Sequence, residues 1–245
     1  MPDPLVCAIM LTRDRPVMAE RAVRSFEAQT YQRKRLVILD TGTGTITRHR
    51  GHFQYSGLGG SSLSIGLLRN KANGMADEGA ILVTWDDDDY SHPNRIAEQV
   101  ALLQSSGAAC VGYSQTLFWD TVTPPAGQAW VYSGAPIGAS FAYWRKTWEA
   151  QPFENVSRGE DDRFWKALRV AGKHVATVSG FGLPFADPRK EDEPVREYPP
   201  PPRMIHHVHG GNTWTPDYAK AAAHGSNNWR RAPEWDDYCC ERMAL

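Results

Sequence analysis

The chain has 245 residues, enough to bury a core without disulfides or a structural metal. Its 41% hydrophobic and 22% charged residues exclude disorder of the whole chain. With 27 Lys plus Arg against 28 Asp plus Glu, the net charge is −1, so no global basic field is present to hold a polyanion.

Leu5 to Leu11 is an apolar run that ends at Thr12-Arg-Asp-Arg-Pro16, which predicts a buried strand entering a loop. Pro16 to Ala28 sets Val17, Ala22, Val23 and Phe26 on one side, predicting an amphipathic helix with proline at its start. Arg35 to Asp40 predicts a second buried strand. Strand, helix, strand is the pattern of a parallel α/β unit. Residues 41 to 62, rich in Gly, Ser and Thr, read as irregular. Gly42-x-Gly44-x-x-Thr47 is no dinucleotide fingerprint, since it lacks the third glycine and follows the second strand. Ser64 to Asp77 predicts a helix, and Ala80 to Trp85 a third buried strand that runs into Asp86-Asp-Asp-Asp89. Ser91 is the expected cap of the next helix, with Pro93 in its first turn. Further strands are expected at Ala108 to Tyr113, Gln115 to Trp119, Trp130 to Tyr132 and Ser140 to Trp144, and a helix at Glu160 to Ala171. The Pro-rich stretch Glu191 to Arg203 reads as a surface loop or linker.

Cys7 and Cys110 sit in apolar runs and read as core thiols, and the vicinal Cys239–Cys240 pair as incidental. The N-terminus has no signal layout and no apolar run approaches ~18 residues, so a cytoplasmic protein with no transmembrane segment is expected. The Asn155-Val-Ser157 sequon then carries no glycan.

Four adjacent carboxylates at the end of a buried strand repel one another unless positive charge sits among them. In open α/β sheets, ligands bind beyond the carboxyl ends of the strands. Hard oxygen donors suit Mg²⁺ or Mn²⁺ shared with substrate phosphates. An EF-hand fits poorly, because the sixth and twelfth positions from Asp86 are Ser91 and Ala97.

Ile81 to Arg95, with Trp85-Asp-Asp-Asp-Asp-Tyr90 at its centre, resembles the D-x-D region of family 2 glycosyltransferases, which have the GT-A fold. Leu5–Arg15, Leu36–Asp40, Ser64–Asn70, Gly138–Arg145 and Phe153–Trp165 resemble further motifs of that family in the same order. The resemblance covers roughly residues 5 to 172. It implies a mixed, mostly parallel sheet flanked by helices. It also implies a GT-A catalytic domain over about 1–190, with a nucleotide-binding half to about 120 and an acceptor half over 121–190. Residues 191–245 would be a Pro-rich loop and a C-terminal segment completing the active site.

The implied reaction is metal-dependent, inverting transfer of a sugar from a nucleoside-diphosphate sugar, UDP-sugar favoured, to an acceptor hydroxyl. Asp88 and Asp86 are then the expected ligands of Mn²⁺ or Mg²⁺, with His209, or else His207, completing the shell. Asp87 would reach the ribose or a metal-bound water, and Asp89 would instead cap the next helix. Thr12, Arg13 and Asp40 would meet base and ribose, Arg69 a phosphate or nucleotide edge, and Trp214 a sugar or base by stacking. Asp161 would be the general base, with Glu160 and Asp162 as helix-start charges. Polysaccharide, lipid-linked sugar, protein, small molecule and modified nucleic-acid base are candidate acceptors; the basic residues within 220–232 would suit the last. Competing readings are a nucleotidyltransferase of related fold, disfavoured because Thr12–Pro16 has no glycine, and a non-catalytic nucleotide-sugar or carbohydrate-binding module.

Overall fold

The computed structural model describes residues 3–43, 53–60, 62–181, 201–212, 216 and 228–244. Trp214, most of the Pro-rich stretch (191–200) and residues 220–227 lie outside them.

The described strands are β1 (Val6–Thr12), β2 (Lys34–Asp40), β3 (Phe53–Gly57), β4 (Ile81–Thr84), β5 (Tyr90–Ser91), β6 (Cys110–Asp120), β7 (Gln128–Ser133), β8 (Ala142–Trp144), β9 (Val175–Ser179), β10 (Met204–Val208) and β11 (Trp229–Arg231). Helices are α1 (Pro16–Glu27), α2 (Ile65–Gly74), α3 (Arg95–Ser106), α4 (Arg145–Ala150), α5 (Glu160–Val170) and α6 (Asp236–Met243).

The strands form one mixed sheet in the order β11-β7-β6-β8-β4-β1-β2-β3, with β9 and β10 on β6 and β5 on β10. Strands β3, β2, β1 and β4 are mutually parallel, so Thr12, Asp40 and Thr84 end at the same edge. Strands β7 and β8 run antiparallel to their neighbours.

Period-two alternation loads both faces of the parallel strands with apolar residues, as a doubly covered sheet requires. Val6, Ala8, Met10, Leu36, Ile38, Ile81 and Val83 pack against α1 and α3. Cys7, Ile9, Val37, Leu39 and Leu82 pack against α2 and α5, where Phe164 stacks on Phe153. A third cluster joins Leu117, Val131 and Ile205 to Trp235, Cys239 and Met243, so the C-terminal helix packs on the antiparallel part of the sheet. Cys7 and Cys110 are buried thiols; Cys239 is buried and Cys240 exposed.

Several elements differ from expectation. Residues 53–57 are not irregular but form β3, parallel to β2. The two strands expected between 108 and 119 are one strand, β6, with an irregularity between Tyr113 and Gln115 where it pairs with β9. Ser91 does not cap a helix. It lies in β5, its hydroxyl takes a hydrogen bond from Arg95 at 2.8 Å, and α3 begins only after Pro93 and Asn94. Ser64 does cap α2, accepting from the Leu67 N–H at 3.2 Å.

Candidate functional site

The acidic turn follows β4, and its position is fixed from both ends. Trp85 is buried edge-on against Phe26 and donates its indole N–H to the Ala22 carbonyl at 3.0 Å. The fully buried Arg95 donates to the Thr84 carbonyl before the turn and to the Ser91 hydroxyl after it, both at 2.8 Å. Arg21 donates to the Asp88 carbonyl at 2.6 Å and to the Met243 carbonyl at 2.7 Å, so α1 ties the turn to the C-terminal helix.

Asp86, Asp88 and Asp89 each offer a carboxylate oxygen within a span of 4.8 Å. Asp88 Oδ2 lies 3.0 Å from His209 Nε2 and 2.8 Å from Arg15 Nη1. Asp87 is almost fully enclosed, accepts from the Thr12 hydroxyl at 2.7 Å and pairs with Arg15 Nη2 at 2.9 Å. Asp89 does not cap α3. It meets His206 Nδ1 at 3.0 Å and accepts the His207 backbone N–H at 3.0 Å, which fastens β10 over the turn.

Burial raises the Asp86 carboxyl to about 6 against the pull of Arg69. Burial and the neighbouring Asp88 charge raise Asp87 to about 7, opposed by Arg15 and the Thr12 hydrogen bond. Burial also opposes ionisation of Asp88, but the His209 hydrogen bond and the His206 and Arg15 charges hold it well below the carboxylate range. His206 is desolvated yet pushed up to about 9 by Asp89, whereas burial and the Arg21 charge hold His207 down at about 4.

The donor set suits a hard divalent ion: clustered carboxylate oxygens with one imidazole nitrogen. At bond lengths of about 2.1 Å, two ligands at right angles on one ion stand about 3 Å apart. Asp88 Oδ2 and His209 Nε2 have that separation. His207 is a poorer ligand here. Its Nε2 faces the Thr121 hydroxyl at 3.2 Å, and its Nδ1 is buried without a hydrogen-bond partner.

Arg69 lies between Glu160 (3.1 Å) and Asp86 (3.7 Å), linking the acidic turn to the start of α5. Glu160 and Asp162 both lie in the first turn of α5, as expected; Glu160 is buried and also serves as an ion-pair partner, while Asp162 is exposed and pairs with Lys166. Asp161 is half-buried; its Oδ2 accepts the Gly138 N–H at 2.9 Å. Asp40, buried at the end of β2, accepts the Gly42 N–H at 2.8 Å. Asp14 holds a left-handed backbone (φ 51°) and accepts the Thr43 N–H at 2.8 Å, joining the loops after β1 and β2.

Arg13 is exposed and 3.9 Å from Asp14. Arg15, two residues on, is the arginine that reaches the aspartates. Sequence reasoning missed it, because alternation along an extended segment puts Arg13 and Arg15 on one side and cannot choose between them. Arg21 and Arg95 were missed too; each looks like an ordinary polar position of a helix.

No family model matches the chain, and no curated protein matches it in sequence. Two structures of S. aureus TarS 1-349, in complex with UDP and with UDP-GlcNAc, superpose with TM-scores of 0.61 and 0.60 at 13% and 14% identity. They cover 83% and 85% of this chain and 60% of each TarS chain. The mannosyltransferase PcManGT from Pyrobaculum calidifontis, in complex with GDP-Man and Mn²⁺, superposes with a TM-score of 0.55 at 14% identity. It covers 72% of this chain and 55% of that one. The chain thus spans less than two thirds of each. At such identities the likeness shows the fold, which is that of the GT-A-like glycosyltransferases, with a mixed sheet flanked by helices.

Proposed function

We propose that the chain is a metal-dependent, inverting glycosyltransferase of the family 2 type that moves a sugar from a nucleoside-diphosphate sugar, UDP-linked by preference, to an acceptor hydroxyl. The observation that carries this reading is the convergence of the Asp86, Asp88 and Asp89 carboxylates just beyond the end of β4, with His209 Nε2 3.0 Å from Asp88. Complexes of the neighbouring structures with UDP, UDP-GlcNAc, and GDP-Man with Mn²⁺ support the donor class.

Asp86, Asp88 and His209 are the proposed ligands. Bound there, Mn²⁺ or Mg²⁺ would act as a Lewis acid on the diphosphate, offsetting the charge it gains as the glycosidic bond breaks. Thr12 and Asp40, at the ends of β1 and β2, border the space for base and ribose. Asp161 takes the proton of the acceptor hydroxyl as it attacks, a contribution of roughly 10²–10⁴-fold. The Gly138 N–H fixes its carboxylate, and Arg69 joins its helix to the donor side. The first 190 residues or so form the catalytic domain, and the segment from about 191 completes it by bringing His206, His207 and His209 to the turn.

The test is a panel of UDP- and GDP-sugars with Mn²⁺ or Mg²⁺, read by thermal shift and by slow donor hydrolysis. One nucleotide should stabilise the protein only with metal present, and Asp161→Asn should keep donor binding while losing turnover. No response to any nucleotide sinks the reading; unchanged turnover of the variant removes Asp161 as the base.

A further inference from the structure

We propose that Arg15 is a resident cation of the donor site. It holds Asp87 and Asp88 side by side and contacts the diphosphate of a bound donor. The proposal rests on the glycosyltransferase reading and assigns a residue to the leaving group.

Arg15 has one terminal nitrogen on each aspartate: Nη2 is 2.9 Å from Asp87 and Nη1 is 2.8 Å from Asp88. Nη1 is also 3.5 Å from His209 Nε2, so the guanidinium shares the space around the carboxylate oxygen that His209 approaches. Its partners are enclosed, with side chains 2% and 9% exposed, whereas 32% of the Arg15 side chain is exposed. The charge is thus neutralised on one flank and open on the other. A guanidinium carries five N–H donors in a planar fork that suits phosphate oxygens, and the two aspartates do not exhaust them.

The other arginines nearby are committed elsewhere. Arg69 lies between Asp86 and Glu160, and Arg21 donates to two backbone carbonyls. Arg13 is turned out toward Asp14. Among the described residues, Arg15 is the arginine that touches the acidic turn through its carboxylates and keeps an open flank.

One charge at this position acts in opposite directions on two ligands. It repels a divalent ion approaching Asp88 and attracts a diphosphate. A purely structural arginine would not separate the two, because its loss would weaken both. The experiment compares the wild-type full chain with Arg15→Gln and Arg15→Lys at pH 8. Mn²⁺ alone is titrated first, then UDP and GDP at saturating Mn²⁺, with melting curves to establish folding.

Arg15→Gln should bind Mn²⁺ about tenfold more tightly and the nucleoside diphosphate about tenfold more weakly. Arg15→Lys keeps the charge without the fork, so Mn²⁺ affinity should hold while nucleotide affinity falls several-fold. If Arg15→Gln does not fold, Arg15→Lys carries the test. Parallel weakening of both ligands, or no change in either, overturns the proposal. If the wild type binds Mn²⁺ but no nucleotide, the glycosyltransferase reading fails and the diphosphate role with it, while the Mn²⁺ arm still decides whether Arg15 is the counter-cation. A wild type that binds neither ligand overturns both.

Discussion

Gly138→Ala probes the proposed base without touching it. Gly138 is buried in the short 3-10 turn before β8, and its N–H holds the Asp161 carboxylate at 2.9 Å. A methyl group there would overlap Asp161 Cβ and stand 2.5 Å from its Oδ2 and 2.8 Å from its Cγ. Contact between such atoms needs roughly 3.5 Å, and Cβ does not move with side-chain rotation, so the start of α5 and the carboxylate with it must shift by about 1 Å. A displacement of that size in a reacting group costs on the order of 10²-fold, and complete loss of a positioned base 10²–10⁴-fold. Turnover should therefore fall by at least about a hundredfold while nucleotide affinity changes less, because Thr12 and Asp40 end β1 and β2 whereas Gly138 precedes β8. The assay is donor hydrolysis, in which water replaces the acceptor, alongside a nucleotide titration and a melting curve. Turnover within threefold of wild type in a folded variant would show that the Gly138–Asp161 contact does not position the base.

Three further outcomes are expected. Between pH 5 and 8.5 the metal-free protein should lose stability. Folded Asp87 keeps its proton to about pH 7 against an ordinary value of 3.8, and folded His206 keeps its own to about 9 against 6.5. Depressed His207, at about 4 against 6.5, works the other way below pH 6.5, but Asp86, raised to about 6, offsets it, so the native state binds more protons over most of this range and stability falls as pH rises. Within this range Asp87 alone accounts for at most about 3 kcal/mol. Melting temperature measured against pH, with and without Mn²⁺, checks this: the Mn²⁺ increment should grow with pH, and a flat profile contradicts it. Arg69→Met should destabilise by about 3–5 kcal/mol, because it strands Glu160 and Asp86 without their shared cation; denaturant midpoints measure this. Arg21→Gln frees both the Asp88 and the Met243 carbonyls and should weaken Mn²⁺ binding several-fold in a direct titration, whereas unchanged affinity would make that tie purely structural.

The parallel half of the fold was legible because each strand there is an apolar run ended by polar residues, and each helix has a clear stripe. Phe53–Gly57 was not, because a short edge strand with few apolar residues has no periodic signal and owes its place to pairing with β2. Met204–Val208 was not expected as a strand; of that region only His207 and His209 stood out, as candidate metal ligands. What makes it β10 is pairing with β6 more than eighty residues away, which no local pattern encodes. The same distance effect explains Ser91 and Asp89. Local chemistry favours a helix cap at each, but Met204 pairs with Ser91, and His206 and His207 claim Asp89. The D-x-D turn was visible as composition; its counter-charges were not. Arg15, Arg21 and Arg95 become meaningful only once the turn is folded against α1 and α3.

Those counter-charges bear on how a donor would bind. Arg15, Arg21, Arg69 and His206 come from α1 and its preceding loop, α2 and β10; Arg69 acts on Asp86, and the other three each act on three of the four aspartates. With Asp86 and Asp87 held up to about 6 and 7, the cluster is close to charge balance near neutrality. A nucleoside diphosphate brings at least two further negative charges to this edge, and the balanced cluster has little left to offset them. A divalent cation would restore the balance. Nucleotide and ion should then bind with positive coupling, each raising the affinity of the other by the same factor, as linkage requires. UDP titrated with and without Mn²⁺, and Mn²⁺ with and without UDP, should return the same factor of about tenfold or more. Affinities that do not depend on the second ligand would mean that ion and diphosphate occupy separate sites, and the acidic turn would then serve some purpose other than holding a leaving group.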